Sequence, residues 1–166
     1  MRLAAALGLV VALTDVGVAA GEPKQAWVGY RAGNGLGWLG LTGAVDLSPR
    51  FALGLEGGPV LDEPDRGALV LLTGQLRARA GRSTPYLSFG YARRLVHVGD
   101  VALAHGGAVL NVGYQRAIGA QLTVQLAVGL RTMSEAVGWR TAPSTRVTEP
   151  GYVAPNLELG LRYRVW

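Results

Sequence analysis

An all-β chain, closing as an eight-stranded antiparallel transmembrane β-barrel with short turns at one end and longer loops at the other, is what this sequence predicts. Three observations predict it: strands of period two, an apolar face set against a charged and glycine-rich one, and connections that alternate between short and long. The two clearest strands lie towards the end of the chain. From Gln121 to Met133, Leu122, Val124, Leu126, Val128 and Leu130 share one face, while Gln121, Thr123, Gln125, Ala127, Gly129 and Arg131 share the other. In the last strand Leu157, Leu159, Leu161, Tyr163 and Val165 alternate with Asn156, Glu158, Gly160, Arg162 and Arg164. A period of two is the repeat of a strand and not of a helix. A soluble sandwich alternates as well, but its polar face is the outer one and is seldom so rich in glycine. A membrane barrel inverts the arrangement, with the apolar face on lipid and the small or charged face lining a narrow interior.

Six further strands follow the same rule. The first covers Gln25 to Ala32 and the second Leu36 to Leu47, with Leu39, Leu41, Val45 and Leu47 opposite Trp38, Thr42, Ala44 and Asp46. The third, Phe51 to Val60, turns Phe51, Leu53 and Leu55 outward and Ala52, Gly54, Glu56 and Gly58 inward. The fourth, Ala68 to Ala80, sets Leu72, Leu76 and Ala78 against Thr73, Gln75, Arg77 and Arg79. The fifth, Pro85 to Leu95, carries Leu87, Phe89 and Tyr91 outward, and the sixth, Ala108 to Arg116, carries Leu110, Val112 and Tyr114. Ser48-Pro49-Arg50, Gly81 to Thr84 and Ala117 to Ala120 read as short turns, and Gly33-Asn34-Gly35 as a tight hairpin. Leu61 to Gly67, Val96 to Gly107 and Ser134 to Gly151 read as the longer loops. Prolines fall at strand ends or in these connections, where a missing N–H does least harm.

Length and composition fit this reading. The chain has 166 residues, 25 glycines, no cysteine and a formal charge of +5. That is one domain by length. Beyond the first 20 positions no apolar run approaches the ~20 residues of a spanning helix. The arginines are scattered through alternating strands with no basic module interleaved with aromatics, so nucleic acid is not an expected partner. The N-terminus has the pattern of a secretory signal: Arg2, an apolar stretch from Leu3 to Leu13, and the small residues Val18-Ala19-Ala20, with Asp15 an uncommon late charge. Cleavage after Ala20 leaves residues 21–166 as the barrel domain.

The run Glu158-Leu159-Gly160-Leu161-Arg162-Tyr163-Arg164-Val165 resembles the insertion signal that the barrel-assembly machinery reads on a last strand. Gly160, Tyr163, Val165 and Trp166 are its candidate residues, with the terminal aromatic one place beyond the usual register. Together with Asp46-Leu47-Ser48-Pro49-Arg50-Phe51, Leu53-Gly54-Leu55-Glu56 and Thr84-Pro85-Tyr86-Leu87, the chain resembles the small OmpA-type and OmpX-type barrels over nearly all of residues 21–166. The resemblance implies a monomer in the bacterial outer membrane, with outer-membrane lipid and, during insertion, the assembly machinery as partners. An even strand count then places both termini in the periplasm. Tyr30, Phe51, Tyr91, Tyr114 and Tyr163 sit near strand ends on or beside apolar faces, as girdle residues do.

Charges on inward faces need partners, because an unpaired buried charge costs several kcal/mol. Arg31, Asp46, Glu56, Arg77, Arg79, Arg94, Arg131, Glu158, Arg162 and Arg164 lie on polar faces, and Glu56, Arg77, Arg131 and Glu158 are the expected lumen network. Eight strands leave room only for side chains, which favours a charged plug over an ion path. For contact with external partners the expected surface is the loop from Ser134 to Gly151, through Trp139, Arg140 and Arg146. No cofactor is expected, and no metal site: His97 and His105, with Asp100 between them, lack ligand spacing. Ser88 and Ser134 are the nearest candidate nucleophiles, but no spacing joins them to either histidine, and both histidines read as solvated loop residues. The expected role is therefore structural or one of surface interaction. A narrow pore and a lipid-modifying enzyme are the alternatives in function. A soluble lipocalin-like barrel is the alternative in fold, and it requires a dry apolar interior.

Overall fold

A computed structural model describes residues 25–33, 40–60, 66–98, 101–141 and 144–165. Its strands are β1 (Ala26–Gly33), β2 (Gly40–Ser48), β3 (Phe51–Val60), β4 (Arg66–Arg77), β5 (Thr84–Val98), β6 (Val101–Ile118), β7 (Leu122–Met133), β8 (Ala136–Thr141), β9 (Ser144–Glu149) and β10 (Tyr152–Arg164). Eight of them close into one antiparallel barrel in the order β1-β10-β7-β6-β5-β4-β3-β2, and β8 pairs with β9 as a separate hairpin. The signal segment and its cleavage site, the Gly33-Asn34-Gly35 turn beyond Gly33, the start of the second predicted strand, residues 61–65 and Trp166 lie outside the described residues.

Closure is made by β1 and β10, paired from Trp27↔Arg164 to Gly33↔Glu158. The faces are sorted as the alternation predicts. Leu157, Val128 and Leu126 on the outer wall are 63%, 60% and 55% exposed, while Glu158, Gln125 and Glu56 on the inner wall are 0%, 0% and 1% exposed. Soluble proteins sort these residue types the other way. The interior required by a lipocalin-like barrel is likewise absent from the middle of the lumen, which is lined by charged and amide side chains.

Short connections gather at one end, here called the turn end. Between β2 and β3 the Ser48 hydroxyl accepts hydrogen bonds from the N–H groups of Arg50 (3.3 Å) and Phe51 (3.0 Å), a local substitute for ladder pairing. The turns after β4 and β6 use Gly81 (φ 122°) and Gly119 (φ 68°), a backbone region open to glycine. The described ends of the chain are at this same end, where the Val165 N–H donates to the Ala26 carbonyl and the Arg164 N–H to that of Gln121.

Two of the predicted long loops are strand instead. The stretch from Val96 to Gly107 continues β5 and β6, whose ladder runs without a break to Val98↔Val101. Alternation simply persists there, with Arg94, Val96, Val101, Leu103 and His105 inward, and Gly99-Asp100 is the dipeptide type that a two-residue hairpin favours. The stretch from Ser134 to Gly151 contains β8 and β9, paired from Ala136↔Glu149 to Thr141↔Ser144. At 15 and 18 residues, β5 and β6 exceed the ~9–11 residues of a tilted membrane crossing. They project beyond the barrel, and the β8–β9 hairpin packs on the projection through Val101, Leu103, Ala136 and Val147. Gly138 permits that approach, since a Cβ there would lie 2.7 Å from Leu103 Cδ2.

Glycine has a second use inside the barrel. A Cβ on inward-facing Gly113 would lie 2.7 Å from Cζ of the buried Tyr86 ring, so the ring occupies the room a side chain would take. Gly113→Val is expected to displace Tyr86 and to destabilise the barrel by about 1–3 kcal/mol, the usual cost of overpacking. Urea unfolding of the full chain refolded in phospholipid micelles measures it, and an unchanged midpoint would remove the steric role given to Gly113.

Candidate functional site

The lumen is filled in layers. Its middle layer centres on Arg31 of β1, which is 1% exposed. The guanidinium is hydrogen-bonded to the Glu56 carboxylate of β3, donates to Gln125 Oε1 of β7 at 2.9 Å, and ion-pairs with Glu158 Oε1 of β10 at 3.2 Å. Glu158 also accepts from Asn111 Nδ2 of β6 at 3.1 Å and, at 3.4 Å, from the Tyr86 hydroxyl of β5. Glu56 accepts from the Thr73 hydroxyl of β4 at 3.1 Å. Every barrel strand except β2 thus contributes to one polar cluster that crosses the interior.

Below it three glutamines join the middle to the turn end. Gln75 donates to Gln115 Oε1 at 2.8 Å, and Gln125 donates to the same oxygen at 3.2 Å. Gln75 Oε1 in turn accepts from Arg162 at 2.6 Å. Nearest the turns, Arg77 donates to Asp46 Oδ1 at 2.6 Å while the Trp27 indole donates to Asp46 Oδ2 at 3.1 Å. Towards the loop end the lining becomes apolar, with Leu69, Leu71, Ala92, Val109 and Met133 packed together and Tyr152 against them.

Of the four residues expected as a lumen network, Glu56 and Glu158 meet in this middle layer through Arg31. Arg77 stands apart with Asp46 at the turn end. Arg131 lies at the other end, its guanidinium 5.6 Å from the centre of the Tyr152 ring. The central cation, Arg31, was legible only as one of several inward charges, and the parts of Tyr86, Asn111 and the glutamines were not singled out. Gln115 and Gln125 do face each other across β6 and β7, but that register depends on pairings no single strand pattern specifies.

Above the barrel a clasp ties the β8–β9 hairpin to the projecting strands. Glu149 at the end of β9 accepts from Arg94 of β5 at 2.8 Å, and its other oxygen lies 2.8 Å from His105 Nε2 of β6. The second ring nitrogen of His105 faces the Ser134 carbonyl oxygen at 2.8 Å. His105 is therefore fully buried, not the solvated loop residue expected, because the strand carrying it continues past the rim. The Ser134 hydroxyl accepts from the Gly106 N–H, so this serine and histidine meet through a main-chain oxygen and not as a nucleophile and its base. Ser88 is buried in the lumen and His97 is exposed on the opposite face of β5 from Arg94. Among the described residues no cluster of side chains could hold a metal ion.

The expected contact residues fall on the hairpin. Trp139 and Arg140 lie on β8, opposite Arg146 and Thr145 of β9. The Arg146 side chain is exposed, with Glu135 3.9 Å away. Among the expected assembly residues, Gly160 faces the lumen beside Gln125, while Tyr163 and Val165 are on the outer wall, the Tyr163 hydroxyl donating to Gln121 Oε1 at 2.5 Å. No protein-family model, curated protein or solved structure matches the chain.

Two outcomes follow from this geometry. Arg31→Met leaves Glu56 and Glu158 buried without the cation between them and is expected to cost about 3–5 kcal/mol, whereas Arg31→Met combined with Glu56→Gln and Glu158→Gln recovers most of it. Urea midpoints in micelles compare them, and equal stability of Arg31→Met and the parent would refute the central role of Arg31. For the clasp, burial alone would raise the Glu149 carboxyl, but hydrogen bonds from His105 and Arg94 outweigh it and hold the group below the ordinary carboxylate range. A depressed carboxyl stabilises fully above its unfolded value of ~4.3 and loses that contribution as pH falls through the lower folded value. The methyl NMR signals of Ala136 and Val147 are expected to stay docked at neutral pH and to move below that range. In Glu149→Gln they should be displaced already at neutral pH.

Proposed function

We propose that this chain is a bacterial outer-membrane barrel with a plugged lumen, whose role is structural or one of surface interaction. The observation that carries the reading is the inverted wall: a continuous outer surface of exposed leucine, valine, phenylalanine and tyrosine around a polar interior. In water such a surface would far exceed the apolar patches that soluble monomers carry. In lipid it is the required surface, and the closed ladder leaves no barrel edge unpaired. On this reading the turn end faces the periplasm, residues 1–20 are the export signal, and the last strand from Glu158 onward is the segment the assembly machinery recognises. The resemblance to OmpA-type and OmpX-type barrels belongs to the same proposal.

The plug is supported by the cross-lumen cluster around Arg31 and by the apolar layer above it. A surface role is supported by the projecting platform of β5, β6, β8 and β9, which holds Trp139, Arg140 and Arg146 beyond the rim. An acidic partner or an anionic lipid head group suits these cations.

Two measurements test the proposal together. The full chain should sediment with outer membranes and run at different positions on a gel with and without boiling. In planar bilayers it should give no steady conductance. A soluble protein without a heat shift would reject the membrane reading, and sustained single-channel currents would reject the plug and favour a narrow pore.

A further inference from the structure

Three arginines meet at the turn end around a small cavity of about 10 Å³, open on one side and lined by Trp27, Arg77, Arg82, Gln115, Thr123 and Arg162. Among the described residues no carboxylate lines it. The nearest acid in the hydrogen-bond network, Asp46, already accepts from both Arg77 and Trp27. Arg82 reaches in from the turn after β4, over the Trp27 ring at 5.4 Å, and spends its terminal nitrogens on the carbonyls of Gly119, Ala120 and Leu122 and on the Thr123 hydroxyl. Arg162 spends one of its own on Gln75. Nε of Arg77, Arg82 and Arg162, like that of Arg31 and Arg131 elsewhere in the barrel, is buried and has no hydrogen-bond partner among the described residues. Arg77 and Arg162 are themselves 6% and 4% exposed.

We propose that this cavity is a binding site for one small monovalent anion of chloride size, held by the guanidinium groups of Arg77, Arg82 and Arg162. Buried N–H groups are rarely left without an acceptor, and here three arginines that each carry one line the same space. The space has room for about one water-sized particle, so an anion bound there is small and sits partly in the open mouth. A halide accepts several N–H donors at once without needing donors of its own. It also offsets positive charge beside Arg82, whose hydrogen bonds all go to uncharged carbonyl and hydroxyl oxygens. Burial, and to a lesser degree the charge of Arg164, press the Arg82 guanidinium below the ordinary arginine range.

The site predicts an anion-specific stability. The full chain, refolded in zwitterionic micelles, is unfolded with urea at constant ionic strength while gluconate is exchanged for chloride or bromide. The midpoint should rise with halide and, above the dissociation constant, go on rising with the logarithm of its concentration, as binding to the folded state alone requires. Arg82→Gln removes a charged donor and should raise the halide concentration at which the midpoint begins to climb at least about tenfold. Gln115→Glu places a carboxylate at the cavity wall, keeps the oxygen that Gln75 and Gln125 use, and should abolish the halide response while raising stability in gluconate. In bromide-soaked crystals an anomalous peak is expected beside Arg162. Equal midpoints in gluconate and halide, a halide response unchanged in both variants, or bromide found only on the outer surface would each overturn the proposal.

Discussion

A sheet with its apolar side turned outward can satisfy its backbone only by closing, and closing eight strands forces every inward side chain into a space about one side chain wide. In this chain the β1–β10 seam makes the closure, and Arg31 makes it tolerable. Glu56 and Glu158 project into the same space from β3 and β10, and only a cation between them keeps two buried carboxylates from repelling. The residues around them follow from that requirement. Gln125 orients one end of the guanidinium, Thr73, Tyr86 and Asn111 occupy carboxylate oxygens, and Gly113 makes way for the Tyr86 ring. A buried polar cluster is favourable only when its members are satisfied together, which ties the barrel strands to one another across the lumen as well as around the wall.

Among the described residues the barrel strands are uneven in length, and the longest place the features beyond the rim. β1 and β2 have 8 and 9 residues while β5 and β6 have 15 and 18. The tall side needs a cover for its inward face, and the β8–β9 hairpin supplies one with Ala136 and Val147 against Val101 and Leu103. A small apolar contact and a single carboxylate clasp hold this cover, against a barrel knitted by continuous ladders. Local opening is expected first where few contacts resist it, which puts the least stable described element at the end that carries the exposed cation Arg146.

Strand positions and facing were legible from alternation alone, because the inverted pattern is continuous: Leu157 through Val165 and Leu122 through Leu130 leave no choice of face. Strand ends were less legible. Val96 and Val101 to His105 keep the same alternation as the barrel, but Gly99 and the charge of Asp100 interrupt the apolar pattern between them, and nothing in one strand's alternation marks how far its partner follows it. The hairpin of β8 and β9 is short and flanks Pro143, so its alternation of Val137, Trp139 and Thr141 is too brief to stand out from a loop. Of the lumen, the charges were visible and the partners were not. That Arg31 lies between Glu56 and Glu158 while Arg77 turns to Asp46 follows from the shear of eight strands, a property of the closed sheet and not of any one segment. The turn-end cavity was invisible for the same reason, since Arg77, Arg82 and Arg162 come from three separate parts of the chain.

The most direct test of the account is a residue-by-residue scan of β10 in lipid vesicles. The chain has no cysteine, so single cysteines at positions 156 to 163 can carry spin labels without background. The account predicts strict alternation: labels at 157, 159, 161 and 163 should be mobile and accessible to oxygen dissolved in lipid, while those at 156, 158, 160 and 162 should be immobile and shielded from oxygen and from a water-soluble relaxation agent. Outward positions reached by the water-soluble agent, or an alternation with the opposite phase, would contradict the inverted barrel on which everything else here rests.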